Sequence, residues 1–172
     1  MKKIIVLTGP ESTAKSTLSK QLADHFQGTR FPEYARSYLE GKSSAYCYHD
    51  VETIAKGQIQ QYENALVSEG EFVFLDTWLI VTMVWFEWAY GKKPAWLQNA
   101  LIDYPIHLYL LCKPDIPWEP DPLREHGGEE RQKLYNVYRQ ELLELGLPFV
   151  EVEGEGESRL QAAIEAIINF SF

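Results

Sequence analysis

One short segment restricts the fold of this chain more than any other feature: Gly-Pro-Glu-Ser-Thr-Ala-Lys-Ser at 9–16. It follows an apolar, β-branched run, Lys3–Thr8, that is typical of a buried strand. A helical pattern over 15–26 comes directly after it. The segment fits the phosphate-binding pattern G-x-x-x-x-G-K-[ST] at all positions but one, and this pattern is meaningful only between a strand and a helix.

The residue types of such a loop follow from the chemistry of phosphate binding. Small residues let successive backbone N–H groups face phosphate oxygens, and the N-terminus of the following helix adds positive potential. Lys15 is expected to reach the β and γ phosphates of ATP, and the Ser16 hydroxyl to bind Mg²⁺. The candidate ATP-binding residues are Gly9, Pro10, Glu11, Ser12, Thr13, Ala14, Lys15 and Ser16.

Ala14 stands where the pattern has glycine. If the loop needs a positive φ at this position, alanine stores about 1–2 kcal/mol of strain, and Ala14→Gly should tighten ATP binding. The alternative, in which neighbouring residues let Ala14 keep a negative φ, stays open.

Further strand and helix patterns alternate along the chain, which predicts an α/β fold with one parallel sheet covered on both faces. A length of 172 residues suits one domain, 1–172. The other predicted strands are Thr29–Pro32, Phe72–Leu75, His107–Cys112 and Pro148–Val152. Asp50 is the predicted N-cap of a long helix that ends near Ser68.

Two acidic residues follow predicted strands, where open α/β sheets place their working residues. Asp76 is a candidate for the acid that binds the magnesium shell, or an N-cap for a helix from Thr77 onward. Glu33 is a candidate to accept a proton from a substrate hydroxyl during phosphoryl transfer. Arg36 is a candidate to hold the substrate or Glu33, although the i, i+3 spacing by itself favours a surface ion pair.

The segment 113–128 is rich in proline, glycine and acidic residues, which excludes a long helix and predicts a flap. Arg124 lies in it and Arg131 just after it. Mobile arginines that close over ATP stabilise charge on the transferring phosphoryl group, and solvated side chains are the alternative. Most of the many aromatic residues are expected in the core and one or two against a planar substrate ring. Trp118 is among the candidate substrate-binding residues.

Charge and composition exclude several functional classes. A formal net charge of -9 opposes general nucleic-acid binding. The most apolar later stretch, 72–88, is interrupted by Asp76 and Glu87, so it predicts no membrane span, and no signal-peptide pattern opens the chain. Cys47 and Cys112 form neither a zinc nor a disulfide pattern. We therefore expect a cytosolic protein that acts on a small molecule, without a nucleic-acid or membrane partner.

Several sequence blocks, taken in order, resemble one family. They are GPESTAKS at 9–16, PEYARSY at 32–38, IAKGQ at 54–58, FLDT at 74–77 and YLLCKPDIPW at 109–118, followed by Arg124 and Arg131. Together they resemble the kinase domain of NadR-type proteins, which phosphorylate nicotinamide riboside with ATP. The likeness covers nearly the whole chain.

The resemblance implies the fold of nucleoside and nucleotide kinases: three α/β/α layers, a five-stranded parallel sheet and a lid. It also implies roles for particular residues: Lys15, Ser16 and Thr17 at the phosphates, Asp76 at magnesium or the substrate ribose, Glu33 near the substrate, and Arg124 and Arg131 in the lid. The sequence departs from the family at Ala14, usually glycine, and at Pro32, where an aromatic residue can stack on nicotinamide.

The motifs and the resemblance lead to the hypothesis that this chain is an ATP-dependent kinase that converts nicotinamide riboside to nicotinamide mononucleotide in NAD salvage. Two alternatives stay open. One is a kinase for another nucleoside or small acceptor on the same fold. The other is an ATP-binding regulatory module with little turnover, an alternative that the substitution at Ala14 leaves possible.

Overall fold

A computed structural model describes residues 2–172, and within that range the strands form a single sheet. All pairings are parallel, in the order β2-β3-β1-β4-β5, as the α/β prediction requires. The strands are β1 (Lys3–Thr8), β2 (Thr29–Phe31), β3 (Phe72–Asp76), β4 (Leu108–Cys112) and β5 (Phe149–Val152). Ile5 of the central β1 pairs with Phe74 on one side and Leu108 on the other.

Helices cover both faces of this sheet. They are α1 (Lys15–Phe26), α2 (Tyr34–Glu40), α3 (Tyr48–Val67), α4 (Leu79–Tyr90), α5 (Ala95–Asp103), α6 (Gly128–Glu144) and α7 (Glu157–Asn169). Apolar side chains of α1 and α7 pack on one face and those of α3, α4, α5 and α6 on the other, which gives the three expected layers. None of the helices in residues 2–172 has the length and hydropathy needed to cross a bilayer.

The two-sided burial of β1 explains its continuous apolar sequence. Ile4 and Val6 belong to the core on the α3–α6 side, and Ile5 and Leu7 to the core on the α1–α7 side, each with no exposed surface. Full burial of such a side chain is worth about 1.5–3 kcal/mol. The strand that leads into the loop at 9–16 is therefore strongly stabilised by burial on both of its faces.

Asp50 caps α3 from a different position than predicted. The N-cap of α3 is Cys47, and Asp50 occupies the third helical position. Its Oδ2 accepts a hydrogen bond of 2.7 Å from the backbone N–H of Cys47, and its Oδ1 one of 2.8 Å from the Tyr38 hydroxyl. The N-cap assignment was wrong because a carboxylate at this position can reach back to the cap residue, as in a capping box.

A close approach between α2 and α3 depends on Gly57. A Cβ atom at this position would lie 2.2 Å from a ring carbon of Tyr34, so a larger residue would displace the ring. Tyr34 is the first residue of α2 and directly follows Glu33. The glycine in the IAKGQ block therefore leaves room on α3 for the Tyr34 ring.

Candidate active site

The loop between β1 and α1 bends through backbone conformations that favour glycine. Gly9 has φ +125°, and a Cβ atom there would lie 2.7 Å from the carbonyl oxygen of Cys112. Ser12 and Ala14 adopt positive φ values of 54° and 60°. The alternative of a negative φ at Ala14 was therefore wrong, and the loop holds an alanine where glycine would be relaxed.

The N-terminus of α1 presents unused backbone donors to this loop. The first helical hydrogen bond runs from the N–H of Leu18 to the carbonyl of Ala14, at 2.9 Å. The N–H groups of Lys15, Ser16 and Thr17 precede that bond and have no helical acceptor. They form the kind of N-terminus that binds phosphate.

A buried arginine that the sequence analysis missed holds the loop from beneath. Arg159 of α7 donates to the carbonyl oxygens of Thr13 at 2.9 Å, Lys113 at 3.0 Å and Gly154 at 2.7 Å, and it pairs with Asp115. Arg159 as a whole is 2% exposed. No local pattern in the sequence could indicate this role, because Arg159 lies 146 residues from Thr13.

Arg131 has a similar buried position, and it is not among the described residues that line either cavity beside the loop. It is 6% exposed, and its Nη2 donates to the carbonyl oxygens of Ser12 at 3.1 Å and Ile116 at 3.0 Å. These contacts connect α6, the loop and the start of the flap. The placement favours support of the loop over direct contact with a transferring phosphoryl group.

Residues 9–17 line one part of a cavity of about 480 Å³. Lys15 is half-buried there, and its ammonium group donates to the carbonyl oxygens of Gly9 at 3.1 Å and Pro10 at 2.6 Å. A further part of the wall is apolar and aromatic, with side chains from Tyr46, Val81, Val84, Trp85, Trp88 and Tyr138. One cavity thus joins a phosphate-binding loop to a surface suited to a planar ring.

Asp76 ends β3 beside Leu7, and its side chain is fully buried. Oδ2 accepts a hydrogen bond of 3.1 Å from Nη2 of Arg30, whereas Oδ1 has no partner among the described residues. The N-cap of α4 is Trp78, so the helix-cap alternative for Asp76 was wrong. Arg30, which the sequence analysis missed, also donates from Nε to the Ser19 hydroxyl at 2.7 Å.

The residues at the carboxyl ends of the strands fit a magnesium ion. Ser16 and Asp76 both line a second cavity, of about 350 Å³. Oδ1 of Asp76 is buried and accepts no hydrogen bond from the described residues. Residues 2–172 contain no group of three or more acidic, His or Cys side chains placed to enclose a metal. Mg²⁺ commonly needs only one or two protein ligands, because phosphates and waters complete its shell.

Glu33 lies at the start of α2 in the walls of both cavities. Burial raises the pKa of its carboxyl group, and nearby Asp76 raises it further, while Lys15 and Arg36 act in the opposite direction. A carboxylate destabilised in this way is a stronger proton acceptor, which suits a general base.

Arg36 forms more than the surface ion pair that its spacing favours. Its Nε lies 4.0 Å from Glu33, and its Nη1 lies 3.2 Å from Asp121 of the flap and 3.6 Å from Glu40. The shortest of these contacts joins α2 to the flap. Arg36 therefore links the candidate base to the segment that covers the cavity.

The flap lies against the phosphate-binding loop. Glu11 accepts hydrogen bonds on Oε2 from the backbone N–H groups of Glu125 at 2.9 Å and His126 at 3.0 Å. The Ser12 hydroxyl accepts one of 3.0 Å from the N–H of Glu119. Arg124 lines both cavities, so the structure brings it to the loop as the flap prediction requires.

Trp118 is placed within the flap and not along the larger cavity. Its ring lies 6.0 Å from the guanidinium of Arg124 and 5.8 Å from that of Arg131, distances that suit cation–π contacts. The described residues that line the larger cavity do not include it. Tyr46 and Trp85, with ring centres 4.9 Å apart, are the aromatic pair of that wall.

Comparisons with known proteins agree with this geometry. A family model described as "AAA domain" matches residues 4–159. The trifunctional NAD biosynthesis/regulator protein NadR of Escherichia coli (strain K12) is 31% identical over 169 residues, which cover 95% of this chain and 41% of that protein. The chain thus spans less than half the length of this curated relative.

Two solved structures share the fold over 96% of this chain. A NadR protein in complex with NR superposes with a TM-score of 0.82 at 26% identity, and the match covers 50% of that chain. A NadR protein in complex with NAD and AMP-PNP gives a TM-score of 0.78 at 25% identity, over 48% of that chain. The family match, the phosphate-binding loop and the sheet order agree, and the chain belongs to the AAA domain family, with NadR among its relatives.

Proposed function

We propose that this protein is an ATP-dependent kinase that phosphorylates nicotinamide riboside to nicotinamide mononucleotide. The observation that carries the proposal is the single cavity in which the phosphate-binding loop, Glu33 and an aromatic wall meet. The relatives add support, since NadR structures hold NR in one case and AMP-PNP in another.

In the proposed reaction, the loop binds the ATP phosphates through its backbone N–H groups and Lys15. The Glu33 carboxylate accepts the proton of a ribose hydroxyl, whose oxygen attacks the γ phosphorus. The new O–P bond forms as the bond from the γ phosphorus to the bridging oxygen breaks, and ADP leaves. Arg124, in the walls of both cavities, stabilises the charge that develops on the phosphoryl oxygens.

Ser16 and Asp76 would hold Mg²⁺, which when bound neutralises charge on the phosphate oxygens. Arg30 binds Oδ2 of Asp76 and leaves Oδ1 unpaired among the described residues, so Oδ1 is the oxygen that would meet the ion. Arg131 and Arg159 act on the loop carbonyls and not on substrate, which keeps the backbone donors of the loop in place.

The aromatic wall favours a cationic ring. The pyridinium of nicotinamide riboside carries a positive charge, and a cation over an aromatic face is stabilised by about 0.5–2 kcal/mol. Tyr46 and Trp85 supply such faces. Both reactants are small polar metabolites, so we place the reaction in the cytosol, with neither nucleic acid nor membrane as a partner.

The test is an ADP-release assay of the purified chain with Mg²⁺ and ATP against nicotinamide riboside, adenosine, cytidine, thymidine and no acceptor. We expect release that depends on nicotinamide riboside, together with nicotinamide mononucleotide in the product. Preferential turnover of another nucleoside would assign a different acceptor. ATP binding without acceptor-stimulated release would make the chain a binding module and overturn the proposal.

A further inference from the structure

Gln58 is a buried amide in the wall of the larger cavity that the proposed reaction does not use. It lies on α3, is 1% exposed, and shares this wall with Thr82 and Trp85 of α4. Its Oε1 is 3.1 Å from the hydroxyl oxygen of Thr82. Its Nε2 is buried and has no hydrogen-bond partner among the described residues.

The unpaired atom does not depend on which way the amide is turned. The Thr82 hydroxyl has one hydrogen and two acceptors within reach, the Leu79 carbonyl at 3.0 Å and Oε1 of Gln58 at 3.1 Å. If the hydrogen goes to Gln58, Nε2 is left without an acceptor. If it goes to Leu79, the amide can turn so that Nε2 donates to the hydroxyl oxygen, and Oε1 is then left without a donor. Either way one amide atom is unsatisfied.

Buried polar atoms are nearly always hydrogen-bonded, so an unpaired one in a cavity wall points to a ligand. The ligand group that suits both orientations of Gln58 is another carboxamide, because it carries a donor and an acceptor side by side. A ring without a polar substituent would leave the Gln58 amide unpaired.

We propose that Gln58 hydrogen-bonds the carboxamide on the acceptor ring and is a specificity-determining residue, an inference that rests on the proposed function. Selectivity arises because a riboside without the carboxamide excludes water from the Gln58 amide and forms no hydrogen bond with it. A site that hydrogen-bonds one group of its substrate discriminates strongly against analogues that lack this group.

The test compares nicotinamide riboside with the riboside of unsubstituted pyridine in the wild type, Gln58→Leu and Gln58→Met. Both replacements have nearly the volume of glutamine, and the Thr82 hydroxyl keeps Leu79 as an acceptor, so no new unpaired group arises. Gln60→Ala is the matched control, because Gln60 is exposed on the same helix and contacts Glu63. Thermal melts establish that each variant is folded.

We expect the wild type and Gln60→Ala to prefer the carboxamide-bearing riboside in kcat/KM by about 10–100-fold, and either Gln58 variant to reduce that preference to below about threefold. The loss should lie in the KM for the riboside, whereas a general structural defect would also raise the KM for ATP. An unchanged preference in a folded Gln58 variant overturns the role of Gln58 alone. No phosphorylation of nicotinamide riboside by the wild type overturns both this role and the proposed function.

Discussion

The phosphate-binding loop and the flap touch each other, yet they are held in different ways. The loop at 9–16 follows a fully buried strand, and the buried Arg131 and Arg159 donate to its carbonyl oxygens. The flap has no helix or strand from 113 to 127. The first residues of the flap share these two arginines, which also contact Lys113, Asp115 and Ile116. The later part of the flap meets the loop through partly exposed contacts, chiefly those of Glu11.

This difference separates a preformed part of the site from a conditional one. Fixed donors bind phosphate without reorganisation. A segment with few buried apolar contacts opens at low free energy, and lids of phosphoryl-transfer enzymes use such opening to admit substrates and exclude water. We therefore expect changes in the loop to affect chemistry, and changes in the flap contacts to affect mobility.

The largest effect is expected at the loop. Lys15→Ala should lower kcat by about 10²–10³-fold, because it removes a cation from the charge that develops on the phosphates. The variant should fold normally, since Lys15 is half-buried and bonds only to loop carbonyls. Lys20→Ala, at an exposed position of α1, is the control for steady-state ADP release. A kcat for Lys15→Ala within threefold of the control would show that this loop does not bind ATP productively.

Glu33→Gln should lower kcat by about 10²-fold and leave the KM for ATP nearly unchanged, because it removes the candidate base. The exposed Glu40 also contacts Arg36, so Glu40→Gln is the matched control. The pKa of Glu33 is raised above 4.5 by burial, so the wild-type rate should fall as pH drops through that raised value. A pH–rate profile whose acid limb is identical in Glu33→Gln would exclude Glu33 as the base.

The same pKa shift has a consequence for stability. Between the unfolded value of 4.5 and the raised folded value, the folded protein binds more protons at Glu33 than the unfolded chain does. The free energy of unfolding therefore decreases as pH rises through this window. Glu33→Gln should melt at a higher temperature than the wild type at neutral pH. A lower melting temperature would show that the Glu33 carboxylate stabilises the fold.

A smaller effect is expected at the flap. Glu11→Ala removes the acceptor of two backbone N–H groups, and should speed trypsin cleavage after Arg124 by about tenfold, since such contacts together contribute about 1–1.5 kcal/mol. Glu119→Ala is the control, because Glu119 contacts the loop and Arg124 only through its backbone. An ATP analogue with nicotinamide riboside should slow cleavage in the wild type. Equal cleavage of both variants would show that Glu11 does not hold the flap.

The smallest effect is expected at Ala14. With φ at 60°, alanine holds about 1–2 kcal/mol of strain that Ala14→Gly relieves, partly offset by the entropy of glycine. We expect ATP binding to tighten by about threefold in calorimetric titration, equivalent to about 0.7 kcal/mol. Ala166→Gly, within α7, is the control and should only lower stability. Weaker ATP binding by Ala14→Gly would mean that the loop has adapted to alanine.

Elements set by local pattern agreed closely with the structure. The bounds of β1 and α1 match the prediction because continuous burial and a helical apolar face are visible over a few neighbouring residues. Asp50 was predicted as the N-cap of α3 but lies three residues after it. An aspartate suits both the N-cap position and the third helical position of a capping box, and the sequence does not show which of the two it occupies. The carboxyl end of β3 was located correctly, yet the sequence left the role of Asp76 open between a metal ligand and a helix cap.

Sequence by itself determined the phosphate-binding loop, the alternation of strands and helices, and the positions of Glu33 and Asp76 at strand ends, because each depends on neighbouring residues. Tertiary structure alone decided which distant side chains support them. Arg30 meets Asp76 across 46 residues and Gln58 meets Thr82 across 24, contacts that arise only when β2 and α3 are packed beside β3 and α4. Whether a buried polar atom keeps or lacks a partner depends on that packing, and no local pattern records it.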